Sequence, residues 1–144
     1  MLSNKIIRYL NENADSVLPE FQLKYKDKLE KLGFNEKING SFIEFMIKYS
    51  DEHYGSEGLL HDVMNDDIMD FEKGITKHLG DNYGVPEKYI SLFNLEVDDY
   101  LLYNKDDDSV VLIEGGNDIK LKKEEFDKKW NSFNEFLENF FELN

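Results

Sequence analysis

The chain has 144 residues and a formal charge of −14, from 31 acidic against 17 basic side chains, with no cysteine. That length holds one ordinary core, and 11 Phe, 8 Tyr and 1 Trp are enough to fill it rather than leave the chain disordered. The acidity excludes bulk attraction to a nucleic-acid backbone or an anionic membrane surface, and the lack of cysteine excludes disulfides, thiolate zinc sites and cysteine nucleophiles.

Helices come first. Ser3 is placed to cap a helix whose apolar stripe is Ile6, Ile7 and Leu10. Pro19 suits the first turn of the next, with Phe21, Tyr25, Leu29 and Leu32 at helical spacing and Gly33 as the stop. After the turn Asn39-Gly40, the run Ser41-Phe42-Ile43-Glu44 has capping-box spacing, and Phe42, Phe45, Met46 and Tyr49 share one apolar face. Gly55 and Gly58 interrupt the pattern, and Leu59-Leu60 predicts a short strand. Asp66 or Asp67 is positioned to cap a further helix carrying Ile68, Phe71, Ile75 and Leu79, with His78 near its end and Gly80 as terminator.

Beyond Pro86 the period shortens. The runs from Tyr89 to Phe93, Tyr100 to Tyr103 and Val110 to Ile113 are rich in aromatic and β-branched residues and read as strands. The polar stretch from Asn104 to Ser109 is a hairpin connection, Gly115-Gly116-Asn117 a turn, and Ile119-Lys120-Leu121 a fourth strand. A last helix follows Ser132, with Phe133, Phe136, Leu137, Phe140 and Phe141 inward and a second capping box in Ser132 and Glu135. The whole describes an α+β fold: an antiparallel meander packed against several helices, with helices at both chain ends. No linker divides residues 1–144, so a single domain is expected. No apolar run reaches the ~20 residues of a membrane span, and the opening residues lack the apolar run of a signal peptide, so a soluble cytoplasmic protein is expected.

The charge is uneven. Residues 51–72 hold eight acids and no Lys or Arg, and residues 94–118 hold eight acids against Lys105 alone, which leaves the rest of the chain at +1. Packed like charges repel, so two such segments predict either a solvated surface or one that steers a basic partner. The carboxylates available for a partner are Glu57, Asp62, Asp66, Asp67, Asp98, Asp99, Asp106, Asp107 and Asp108. Tyr54, Tyr83, Tyr100 and Tyr103 flank the same segments, and Tyr100 is the aromatic anchor chosen among them.

Catalytic signatures fail by contrast. Gly55-Ser56-Glu57-Gly58 has the wrong order for a nucleophile elbow, and no phosphate loop or dinucleotide fingerprint is present. The loop from Asn104 carries Asp106 and Asp108 at calcium-loop positions, but Ser109 and Gly115 stand where Gly and Glu are needed. His53 and His61 beside Glu57 and Asp62 make the best metal-like group, at a spacing that matches no zinc motif. No catalytic residue, metal or cofactor is expected.

The ordered set Leu32-Gly33-Phe34, Phe42-Ile43-Glu44-Phe45-Met46, Tyr54-Gly55-Ser56-Glu57-Gly58-Leu59, Pro86-Glu87-Lys88-Tyr89-Ile90, Asp98-Asp99-Tyr100-Leu101-Leu102-Tyr103 and Ser132-Phe133-Asn134-Glu135-Phe136-Leu137 resembles the SUKH superfamily. That superfamily includes the Smi/Knr-type regulators and the small YobK-type bacterial members. The resemblance runs from near Leu29 to Leu143, about four fifths of the chain; it departs at Ile38-Asn39-Gly40, where the family has Leu-Pro, and in a Gly-rich stretch thinned to Gly55 and Gly58. It implies a non-enzymatic immunity protein that binds and neutralises a polymorphic toxin, often a nuclease, whose basic cleft would meet the acidic segments. A Smi/Knr-like interaction scaffold is the alternative. Oligomeric state is left open.

Overall fold

The computed structural model describes residues 1–94, 98–116 and 118–143. Helix α1 (Asn4–Asn13) buries Ile6 and Leu10, and α2 (Pro19–Lys31) opens on Pro19 and buries Tyr25 and Leu29. Gly33 leaves α2 at φ +86, a conformation that glycine adopts without a steric penalty. Ser3 precedes α1 in extended backbone, yet its hydroxyl donates to Glu138 Oε1 at 3.0 Å instead of capping the helix.

Helix α3 (Glu36–Tyr49) starts earlier than its capping-box spacing suggests. Asn35 caps it by accepting from the Lys37 N–H, and Asn39 kinks it at φ −104, ψ 17. Ser41 and Glu44 therefore lie inside the helix, where Ser41 Oγ donates to the Met1 carbonyl at 2.8 Å and Glu44 Oε1 accepts from the Leu2 N–H at 2.9 Å. They clamp the first residues of the chain. The serine half of the second box forms as expected at α7 (Phe133–Phe140), where Ser132 Oγ accepts from the Glu135 N–H at 3.0 Å, while the Glu135 carboxylate reaches one residue further back and accepts from the Asn131 N–H, also at 3.0 Å.

Strands β1 (His53–Gly55) and β2 (Gly58–Leu60) pair as a small antiparallel hairpin. It rests on α7 through the Ser56 N–H, 2.8 Å from the Phe140 carbonyl, and a Cβ on Gly55 would overlap the Phe140 ring. A short α4 (Val63–Asp66) comes first, and the single helix expected after Asp66 and Asp67 is divided into a 3₁₀ turn over Ile68–Lys73 and α5 (Ile75–Tyr83). Asp62 caps α4, and α5 ends at Gly84 (φ +69) rather than Gly80, which places His78 mid-helix. Asp67 sets the break: its carboxylate takes the Thr76 N–H at 3.2 Å and the Thr76 hydroxyl at 2.5 Å, tying the first turn of α5 back to the end of α4.

The larger sheet is an antiparallel meander of β3 (Tyr89–Ser91), β4 (Tyr100–Asn104), β5 (Val110–Ile113) and β6 (Lys128–Trp130), in that spatial order. The fourth strand is thus β6, which sets Trp130 opposite Val110, whereas Ile119 to Leu121 lie in the short helix α6 (Asp118–Lys122). Only Leu121 of that run is buried, and Ile119 is exposed, a pattern one helical turn satisfies. Gly115 and Gly116 turn the chain before α6 at positive φ; Asn117, read with them as one turn, and Glu96, one of the acids counted above, lie outside the described residues.

Both faces of this sheet are covered, which is why β4 and β5 read as unbroken apolar runs. Leu101, Tyr103, Val110, Leu112 and Trp130 face the large core built with α1, α2, α3 and α7. The alternate residues Tyr100, Leu102, Val111 and Ile113 face a smaller cluster with Leu79 of α5 and Leu121 of α6. At the centre of the large core Phe42 stacks on Tyr103 with centroids 4.0 Å apart, Phe34 continues the stack at 5.3 Å, and Phe133 meets Phe42 edge-on. No described helix is long and apolar enough to cross a membrane.

Candidate functional site

The acids singled out by the sequence do not share one face. Asp98 and Asp99 precede β4 and Asp106 to Asp108 follow it, so the five residues Tyr100–Asn104 hold the two groups at opposite ends of the sheet, about 17 Å apart at the rise of a strand. Asp62 caps α4 and Asp66 is its last residue. Asp62 Oδ1 accepts from the Ser50 hydroxyl at 2.7 Å, and both carboxylates raise the pKa of the neighbouring Tyr25, to which burial contributes most. Glu57 lies on the β1–β2 turn, its carboxylate 3.0 Å from Lys128 Nζ, which points to the large-core side of the sheet with Trp130.

Three members of the set are committed to hydrogen bonds within the fold. Asp67 is 1% exposed and belongs to the Thr76 contact just described; burial pushes its pKa up. Asp108, at φ +67, accepts from the Tyr103 hydroxyl at 2.7 Å and from the Phe133 N–H at 3.3 Å, fastening the hairpin loop to the start of α7. Asn39 Nδ2 donates to the same hydroxyl at 2.8 Å. Asp107 is spent on the Ser109 N–H and hydroxyl, which leaves Asp106 as the carboxylate of that loop without a hydrogen bond among the described residues. The loop is held by its own side chains.

The two histidines of the metal-like group are packed separately. His53 Nε2 lies 2.8 Å from the Tyr49 carbonyl between the rings of Phe45 and Phe141, and His61 Nε2 lies 2.9 Å from the Ser91 carbonyl. No group of three or more His, Asp and Glu among the described residues converges as a metal site requires.

The sheet end bearing Asp98 and Asp99 is concave and, unlike the cleft of 440 Å³ beside Glu57, Glu138 and Glu142, sets aromatic rings beside its carboxylates. A cleft of 450 Å³ opens between the C-terminal end of α5, the start of β4 and the Gly115-Gly116 turn, with Tyr83, Asn94, Asp98, Asp99 and Tyr100 on its walls and Leu79 at its apolar side. The Gly115 N–H donates to Asp99 Oδ1 at 2.9 Å, fixing that carboxylate, while Asp98 is exposed and has neither hydrogen bond nor ion pair among the described residues. Gly116 is required here: at φ +62 it passes the Asp98 carbonyl so closely that a Cβ would lie 3.1 Å from it.

Tyr100 is 9% exposed, against 46% for Tyr83, and its hydroxyl has no hydrogen-bond partner among the described residues. Burial raises the Tyr100 pKa, and Asp118 and Tyr83 add to the shift, so the phenol stays neutral. No Lys or Arg lines the cleft among the described residues. Two carboxylates, a neutral phenol and an exposed aromatic ring are the complement of an organic cation. Of the sequence candidates the fold brings together Asp98, Asp99 and Tyr100, and it adds Tyr83, whose only signal in the sequence was its place beside an acidic segment. Of the other flanking tyrosines Tyr54 is 78% exposed on β1 and Tyr103 is fully buried.

Set against family models, curated proteins and solved structures, the chain matches none.

Proposed function

We propose that the protein is a cytoplasmic, non-enzymatic immunity protein of the SUKH type that binds a basic toxin domain, a nuclease foremost, and neutralises it by occlusion. The observation that carries this reading is the anionic, tyrosine-walled cleft at one end of the sheet, which has the chemistry of a receptor for basic protein side chains. The α+β order of elements that underlies the SUKH resemblance supports it, as does the net charge of −14. A nuclease needs a cationic cleft to hold phosphates, and an acidic inhibitor is drawn to that cleft at rates that approach ~10⁸ M⁻¹s⁻¹ at low salt.

The test is co-expression with the basic toxin domain encoded beside its gene. Growth is expected to be restored, with a complex that co-purifies and whose association slows steeply as salt rises. Toxicity that persists with no complex formed overturns the reading, and a complex that leaves the toxin active points instead to the Smi/Knr-like scaffold.

A further inference from the structure

We propose that the cleft receives one arginine side chain of the partner, its guanidinium bridging Asp98 and Asp99 and its flat face against the Tyr83 ring. The immunity reading supplies the identity of the partner, and the inference rests on it to that extent; the chemistry of the cleft stands on its own residues. Acidic side chains alone specify nothing, since a solvated cluster has the same composition. Tyr100 separates the two cases. A phenol nine-tenths buried on a cleft wall, whose hydroxyl has no partner among the described residues, leaves its one polar atom to the cleft and to what enters it.

Three features favour a guanidinium over other cations. Asp99 is held by the Gly115 N–H through one oxygen and offers the other, while Asp98 offers both, so the acceptors suit a planar, forked donor. Tyr83 is exposed enough to present its ring, and a guanidinium stacks on an aromatic face better than a hydrated ammonium does. A calcium ion, by contrast, takes six to eight oxygens, and the described residues bring no third carboxylate to the pair. The volume of 450 Å³ falls within the ~300–1,000 Å³ of ligand clefts.

The probe is N-acetyl-arginine amide, titrated into the full chain at low salt and followed through backbone amide shifts. Saturable shifts are expected at Tyr83, Asp98, Asp99, Tyr100, Gly115 and Gly116, with about tenfold weaker binding in D98N and in the D98N/D99N double variant. N-acetyl-lysine amide should bind more weakly, Y100F should weaken the arginine probe, and D106N, at the far end of the sheet, should leave it unchanged. Shifts spread evenly over residues 62–72 and 106–108, indifference to D98N, or displacement of the probe by equimolar calcium would each overturn the inference. Co-expression separates the two ideas. D98N/D99N protecting as well as the parent chain removes the arginine pocket and leaves the immunity reading standing; probe binding in a parent chain that gives no protection does the reverse.

Discussion

Asp67 and Asp66 are adjacent, equally flanked in the sequence and opposite in fate. Asp66 is exposed and Asp67 is buried against Thr76, with a pKa raised above the ordinary 3.8 mainly by burial and only partly restrained by its hydrogen bonds. The folded state therefore holds a proton at pH values where the unfolded chain has released it. That contribution to stability is fully present below the ordinary carboxylate pKa and is lost as pH rises through the folded value. D67N should flatten this dependence: its unfolding free energy in urea, relative to the parent chain, should climb between pH 4 and pH 7, by at most about 1.4 kcal/mol per pH unit crossed. An offset that is constant with pH would assign the slope to another group; Asp108 shifts in the same direction and Asp127 in the opposite one. Y103F should cost about 1–3 kcal/mol, because it removes both hydroxyl bonds while Asn39 keeps the Lys105 carbonyl and Asp108 keeps the Phe133 N–H.

Elements fixed by near neighbours were readable from the chain, and those decided by distant contacts were not. The β4–β5 hairpin and the cap of α7 depend on residues within a few positions of one another, and both form as expected. Ser41 and Glu44 have the same spacing as Ser132 and Glu135, but Asn39 donates to the Tyr103 hydroxyl and the Lys105 carbonyl, both at 2.8 Å, and these long-range bonds place the kink there and the helix start upstream. The two serines should accordingly respond differently. S132A should lower stability by about 1 kcal/mol through loss of a cap. S41A should act elsewhere, reducing hydrogen-exchange protection of the Leu2 and Ser3 amides without loosening the start of α3. The fourth strand lies elsewhere than Ile119 to Leu121 for a related reason: those residues alternate like a strand, yet the edge beside β5 is taken by a segment whose one large apolar residue is Trp130.

Across the whole molecule, composition revealed how much charge there is but not where the fold gathers it. The cleft draws on residues near 80, 98 to 100 and 115, and no local pattern announces that the end of α5 meets the start of β4. Asp98 and Asp106 occupy the same acidic segment of the sequence and opposite ends of the sheet, so they should differ in kinetics. Against a basic partner engaged at the cleft, D106K should slow association severalfold at low salt and leave dissociation unchanged, whereas D98N should mainly speed dissociation. Stopped-flow rates over a salt series distinguish these outcomes, and a D106K effect on dissociation would place the contact at the hairpin loop instead.

The large core also joins the two halves of the chain in time. Met1 is clamped by Ser41 and by Asn134, Leu2 and Ile6 are buried in the same cluster as Phe136 and Phe140, and the Ser3 amide bonds Asn134. The apolar stripe of α1 thus packs fully only once α7, made much later, has joined it. During translation the stripe of α1 stays incompletely covered until α7 has emerged, and until then the chain is most open to chaperones and to aggregation.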